Sequence, residues 1–589
     1  MEKFAKDAPP LKWQMERSWK FSKLADPRYQ PYHPSESQNL TQSNLDRAQN
    51  RLVIAGSFLI LGLMAIFLRL IDVSLWNSST SPRTTQSFIN TNLAIVKRAD
   101  IVDRNGVILA TSLPTYSLYA NPREMLDRAE AAAKLVKVFP DLNYDQLLNR
   151  FVSDRSFVWV KRNLSPAQSQ VIWRLGIPGL QFVQEERRGY PLGSLVAHVV
   201  GFTDVDNKGL SGIERSFDSQ LTETGEPLRL SIDIRIQHIV KQELSTAIKD
   251  FSAIGGMGLV LDVRTGEVLA MVSLPDFDPN NPSAASPEEL FNRNTLGVYE
   301  MGSTFKIFNT ALALDSGLVK ITDQFDPRIP IKVGGFVIHD YERVNRMLTV
   351  PEIMMLSSNI ASARMAMVIG SKKQQEFFEK IGLLDSVSLE LPELAHPLYP
   401  KVWRDISAMT IAYGHGIAVT PLHLAVGVSA IVNDGKFHPA TLVARSPHDV
   451  VANREVIKIQ TSQQLRQIMR LVVESGTGKK ADLGGYFVGG KTGTAEKQIA
   501  GAYKKDSRLA SFISIFPVYE PRYLLLVMVD EPKPNATSHG FATGGWVAAP
   551  VSGRIIKRLA PLLDVLPVSD MPAVFVQNNI FIKTSLAGE

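Results

Sequence analysis

Glu300-Met-Gly-Ser-Thr-Phe-Lys-Ile-Phe308 is the stretch whose reading decides the fold. Ser303 falls at the head of an apolar helical run from Thr304 to Ser316, which Gly317 closes, and Lys306 three residues on returns to the same face. A helix N-terminus favours negative charge developing around the Ser303 oxygen. Phe305, Ile307, Phe308 and Leu312 leave Lys306 little polar surface, and a desolvated lysine has a lowered pKa and can act as a neutral base. A helix cap followed by a snorkelling lysine is the competing reading of S-x-x-K taken alone.

Two further stretches outweigh that reading. Ser357-Ser-Asn359 interrupts a helical pattern that opens with Thr349-Val-Pro-Glu352, a capping-box spelling, and resumes at Ile360. Polar residues between Met354-Met-Leu356 and Ile360-Ala361 need partners if buried, and a loop lending Ser357 as proton relay and Asn359 as amide hydrogen-bonder supplies them. Gly489-Gly-Lys-Thr-Gly-Thr-Ala495 is glycine-rich and extended, as an edge strand beside a cleft should be. Alternation places Thr492 and Thr494 on one face, where their hydroxyls can hold a carboxylate; Lys491 adds positive charge, and Gly493 permits close backbone approach. The backbone N–H groups of Ser303 and Thr494 are the natural oxyanion-hole pair.

Working outward, Met257–Asp262 with Glu267–Ser273, and Leu509–Pro517 with Tyr523–Val529, read as antiparallel strand pairs. Val547–Leu563 reads as a C-terminal helix, and Thr420-Pro421 opens another that ends before Gly435. Strands from both ends of the segment with helices between them imply an α/β/α sandwich around a central antiparallel sheet. Ser475-Gly-Thr-Gly-Lys479 lacks the first glycine of a nucleotide-binding loop and reads as a loop near the site. Upstream, Asp103-Arg-Asn-Gly106 is a hairpin turn between Ala99–Val102 and Val107–Thr111.

Leu52–Leu68 is a run of seventeen residues without a charge, close to the shortest spanning helix, with Arg69, Asp72 and Trp76 at its outer boundary. Lys20, Lys23, Arg28, Arg47 and Arg51 precede it, which orients the tail inward and the rest outward. The expected organisation is a largely disordered cytoplasmic tail (1–51), a signal anchor (52–72), an elongated α/β pedestal (73–225), the sandwich domain (226–570) and a C-terminal tail (571–589). The net charge of +6 forms no basic stripe, so nucleic acid is not expected as a partner. The chain has no cysteine, which excludes disulfides and a thiol nucleophile, and its ten histidines show no metal spacing; neither metal nor organic cofactor is expected.

The ordered trio resembles that of the serine D,D-peptidases and penicillin-recognising enzymes, for which it is the known signature. More narrowly the chain resembles class B penicillin-binding proteins of the division-specific type. Further matching stretches are Arg98-Ala-Asp-Ile-Val-Asp-Arg-Asn-Gly106, Tyr190–His198, Gly212-Ile-Glu214, Tyr413–Pro421 and Gly544–Pro550. Ala99 departs from the glycine usual there. The resemblance implies that Arg98, Arg104 and Glu214 brace the pedestal. It implies transpeptidation of D-Ala-D-Ala stem peptides in septal peptidoglycan, acylation of Ser303 by β-lactams, an inner-membrane location with the catalytic domain in the periplasm, and partners among divisome membrane proteins, including a SEDS-type glycan polymerase. A D,D-carboxypeptidase or β-lactamase, an elongation-type relative and an inactive scaffold or sensor remain the alternatives. No E-x-x-L-N pentapeptide of the lactamase kind lies between Asn359 and Lys491.

Overall fold

A computed structural model describes residues 57, 58, 60–66, 68, 97–446, 448–499 and 502–572. The tail 1–51, part of the anchor 52–72, residues 73–96 and nearly all of 571–589 lie outside the described residues. Those described within 57–68 are helical, with Phe58, Leu61 and Met64 among the exposed side chains. Among the described residues no helix is long and apolar enough to cross a membrane.

The segment after Ala94 begins with the expected hairpin. Strands β1 (Ile101–Val102) and β2 (Ile108–Ala120) pair antiparallel across it. The Asp103 carboxylate stabilises the turn by accepting from the backbone N–H groups of Asn105 and Val107, each at 2.8 Å. Helices α1 (Arg128–Val138), α2 (Tyr144–Val152) and α3 (Pro166–Leu175) follow β2, with β3 (Val158–Leu164) between the last two and β4 (Leu180–Gly189) after them. Both β3 and β4 pair antiparallel with β2. Leu135, Phe139, Leu147, Phe151 and Ile172 from the helices close a separate core with Leu118 and Val160. Strand β5 (Leu228–Arg229) adds to β1 in parallel, so this sheet is mixed. Beneath it Arg98 and Arg188 grip the buried Glu214, at 2.7 Å and 2.6 Å from their Nε atoms. Arg104, expected as a brace, reaches only to 3.9 Å from Glu267.

The second sheet contains β6 (Gly255–Asp262), β7 (Val268–Leu274), β8 (Gly489–Ile499), β9 (Ala502–Phe516) and β10 (Tyr523–Asp530) in the order β8-β9-β10-β6-β7, antiparallel throughout. Its strands are buried on both faces, which is why β10 reads as a continuous apolar run instead of an alternation. Leu524, Leu526 and Met528 point into one layer, Leu525, Val527 and Val529 into the other. Among the helices of the domain are α4 (Ile234–Asp250), α5 (Lys306–Asp315), α6 (Val350–Met355), α7 (Asn359–Ile369), α8 (Pro421–Val432), α9 (Ile459–Glu474) and α10 (Ala548–Leu559). Ile236, Val240 and Leu244 of α4 pack with Val551 and Ile555 of α10 on one face, while α5, α8 and α9 supply Phe308, Leu424 and Ile468 to the other. The sandwich expected from the strand pattern is thus present, and β8 is one of its two edge strands.

Candidate active site

The nucleophile turn sits where α5 meets the edge strand. Residues Gly302–Phe305 wind as a 3₁₀ turn, so the α-helix proper starts at Lys306, two residues later than the sequence suggested. Gly302 has φ of +56°, and a Cβ there would lie 2.7 Å from the Thr494 carbonyl oxygen. At Gly493 a Cβ would lie 2.3 Å from Ser511 Oγ and 2.8 Å from the Met301 carbonyl oxygen. Each glycine lets β8 press directly on the turn that carries Ser303. The backbones bearing the Ser303 and Thr494 N–H groups are therefore adjacent, as an oxyanion pair requires.

Lys306 is fully buried. Its Nζ lies 2.8 Å from Ser303 Oγ, 2.7 Å from Asn359 Oδ1, 2.9 Å from the Ser357 carbonyl oxygen and 3.2 Å from Ser357 Oγ. The Asn359 amide nitrogen donates to the His339 carbonyl at 3.0 Å, which leaves Oδ1 facing the lysine. Two of the four neighbours are thus obligate acceptors. A neutral amine places its two N–H groups on them and turns its lone pair to the Ser303 hydroxyl. Burial, reinforced by the charge of Lys491 and opposed by Asp340, holds the Lys306 pKa well below the ordinary lysine range.

Ser357 breaks the helical pattern between α6 and α7 by adopting φ of +61°, a left-handed conformation that a non-glycine residue holds only when its surroundings enforce it. The Thr349–Glu352 capping box opens α6 as its spelling implies, and Ser358 caps α7. Asp340 enforces the loop. Its carboxylate accepts from Ser358 Oγ at 2.6 Å and from the N–H groups of Asn359 and Ile360 at 2.5 and 2.9 Å, beside the positive end of α7. Asp340→Ala is expected to destabilise the protein by about 1–2 kcal/mol. It should also slow acylation of Ser303 about ten- to a hundredfold by loosening Ser357 and Asn359, with Asp340→Asn much milder. Thermal melting and stopped-flow acylation check both; an unslowed Asp340→Ala variant would show that the loop holds itself.

Lys491 projects from β8 to the same serine. Its Nζ is 2.9 Å from Ser357 Oγ, 3.1 Å from the Thr492 carbonyl oxygen and 3.4 Å from Thr492 Oγ1, three acceptors for the three hydrogens of an ammonium. Burial brings its pKa down to about 7. Ser357 Oγ thereby bridges the two amines. The Thr492 hydroxyl lies 2.8 Å from that of Thr477, and Thr494 Oγ1 accepts from Gly544 N at 3.0 Å, leaving its own proton to donate. The structure thus brings Ser303, Lys306, Ser357, Asn359, Lys491, Thr492, Gly493 and Thr494 to one place. Sequence reasoning missed Asp340, which lies in a loop without pattern. Thr477 belongs to the Ser475–Lys479 stretch read as a loop near the site, but its hydroxyl was not singled out.

A serine facing a buried amine, beneath a glycine-rich edge strand of an antiparallel sheet layered by helices, defines a penicillin-recognising serine enzyme. Comparison with known proteins narrows this. Residues 256–557 match the family model of the penicillin binding protein transpeptidase domain, and residues 94–226 that of the penicillin-binding protein dimerisation domain. The chain is 41% identical over 481 residues to the probable peptidoglycan D,D-transpeptidase FtsI of Caulobacter vibrioides, covering 80% of this chain and 82% of that protein. It is 31% identical over 505 residues to the peptidoglycan D,D-transpeptidase FtsI of Escherichia coli, covering 80% and 84%. Penicillin binding protein 3 of Mycobacterium tuberculosis, solved in complex with ampicillin, superposes with a TM-score of 0.65 at 26% identity over 81% of this chain and 97% of that one. The chain belongs to the class B penicillin-binding proteins.

Proposed function

We propose that this protein is a serine peptidoglycan D,D-transpeptidase that cross-links stem peptides through an acyl-enzyme on Ser303 during septal wall synthesis. The observation that carries the reading is the buried Lys306 amine, 2.8 Å from Ser303 Oγ with its N–H groups directed elsewhere. Lys306 takes the Ser303 proton as Oγ attacks the penultimate D-Ala carbonyl. The oxyanion rests on the N–H groups of Ser303 and Thr494, an arrangement in which each donor is worth about 10²–10³ in rate. The terminal D-alanine leaves with a proton delivered from Lys491 through Ser357, and the proton held by Lys306 then passes through Ser357 back to Lys491, so that Lys306 is neutral again. Thr492 and Thr494, with the Lys491 charge near them, hold the donor's terminal carboxylate, and Asn359 holds its amide. An amine of a second stem peptide then attacks the ester. β-Lactams acylate the same serine.

Localisation follows from the charge pattern about residues 52–72, which supports a single-pass anchor with the N-terminus inside and the catalytic domain outside. On the same reading residues 1–51 are a cytoplasmic tail, 73–225 the pedestal, 226–570 the transpeptidase domain and 571–589 a C-terminal tail. A SEDS-type polymerase and other divisome membrane proteins are the partners this placement suits.

Labelling the membrane-bound protein with a fluorescent penicillin tests the reading. Wild type should form a long-lived adduct and Ser303→Ala none; rapid turnover of the label would point to a hydrolase. The pH profile adds a second check. Lys306 must be neutral to accept a proton, so acylation falls at low pH. Lys491 acts as ammonium with a pKa of about 7, so acylation should also decline as pH rises past about 7. An alkaline limb that stays unchanged in Lys491→Arg would remove Lys491 from this role.

A further inference from the structure

Two side-chain atoms beside the nucleophile turn are buried and have no hydrogen-bond partner among the described residues, Oε2 of Glu300 and Nδ1 of His415. Buried polar atoms are ordinarily paired, so two on adjoining segments call for an occupant. Both segments are tied to the backbone that carries Ser303. Gly302 N donates to the Gly414 carbonyl at 3.2 Å, and Gly416 N donates to Glu300 Oε1 at 2.8 Å, which fixes His415 between these two contacts. The Tyr503 hydroxyl, from the far side of the β8–β9 hairpin, donates to the same Glu300 oxygen at 3.0 Å. The His415 ring packs between Tyr413 and Tyr503, with centroids 5.1 and 5.9 Å away. Glu300 is therefore held by one oxygen, and its other oxygen is left for a donor. Burial holds the His415 pKa below the ordinary imidazole range, against a backbone hydrogen bond at Tyr413 and the pull of Glu496. An acceptor of hydrogen bonds and an acceptor of protons thus stand together next to the serine, and the acylation steps use neither.

We propose that Glu300 and His415 receive the amine that attacks acyl-Ser303. The inference rests on the transpeptidase reading, because the ester on Ser303 is what the amine attacks. A primary ammonium of the second stem peptide donates one N–H to Glu300 Oε2 and gives its surplus proton to His415 Nδ1. Burial alone raises the Glu300 pKa, and an arriving cation favours the ionised carboxylate. The neutral amine forms the C–N bond, a second proton passes from its nitrogen to Lys306, and the C–Oγ bond breaks as Lys306 returns that proton to Ser303. His415 releases its proton to solvent. Water, which carries no positive charge, gains little from this pair, so the pair favours aminolysis over hydrolysis of the acyl-enzyme.

The test is the partition of the acyl-enzyme in the full chain in detergent, with an N-acyl-D-alanyl thioester as donor and D-alanine as the amine. Amide and acid products are counted for wild type, Glu300→Gln and His415→Gln, and fluorescent penicillin reports acylation separately. The ratio of amide to acid should fall about tenfold or more in each variant, the size of one charge-assisted hydrogen bond. Tyr503→Phe, at a side chain 43% exposed, loses a single hydroxyl and should lower the ratio about threefold even if the other two variants fold poorly. An unchanged ratio in variants that acylate overturns the acceptor assignment alone. A folded wild type that never acylates overturns the transpeptidase reading and this inference with it.

Discussion

Lys306→Met is expected to slow acylation of Ser303 by about 10³–10⁴-fold, the upper range for loss of a positioned general base. The replacement keeps the length and most of the volume of a fully buried side chain, so the site's packing survives. What disappears is the lone pair at 2.8 Å from Ser303 Oγ. Two acceptors also lose their donor, Asn359 Oδ1 and the Ser357 carbonyl, at a stability cost of about 1–3 kcal/mol. Lys306→Arg is no conservative alternative, because guanidinium stays charged and has no lone pair to offer. The measurement is the acylation rate by fluorescent penicillin beside a melting curve. A folded variant acylating within tenfold of wild type would mean that another group takes the Ser303 proton, and Lys491 through Ser357 is the group placed to do so.

The second large effect is on stability. Glu214→Ala should destabilise the dimerisation domain by about 3–5 kcal/mol, the range for removing one partner of a buried charge cluster. The Glu214 side chain is fully buried, and its oxygens lie 2.6 Å from Arg98 Nη2 and 2.6 Å from Arg188 Nε. Arg98 retains Asp218 at 2.7 Å in the variant, but Arg188 keeps only the Arg98 carbonyl and Ser112 Oγ as acceptors. A buried guanidinium without a counter-charge is what makes the loss large. The exposed Lys134–Glu130 pair on α1 is the contrast: screened by water, it contributes about 0–1 kcal/mol. Urea unfolding of both variants, with Glu130→Ala as the control, checks this. A loss near that of the control would show that the cluster is relieved by water or rearrangement.

Local signals carried the sequence reading far. The capping box at Thr349, the cap and first-turn proline at Thr420-Pro421, the Asp103–Gly106 turn and the strand pairs about Gly266 and Glu520 all lie where their spelling places them, because each depends on neighbours within a few residues. The nucleophile helix begins later than its apolar period suggested, since contact with β8 winds the first turn as 3₁₀. The uncharged run Leu52–Leu68, expected to form an anchor, lies in part outside the described residues.

The sequence by itself determined which residues can do chemistry, the antiparallel sandwich that gathers them, and the family. Only the tertiary structure decided which state each group holds. Lys306 is suited to the base proposed for it because desolvation and a lysine from a strand far along the chain depress its pKa, and Ser357 to the relay because Asp340 holds its loop. Arg188 joined the Glu214 cluster, and the Gly414–Gly416 segment met Glu300, through contacts between segments distant in sequence. Desolvation and long-range pairing have no period and no motif; they exist only once the chain has closed on itself.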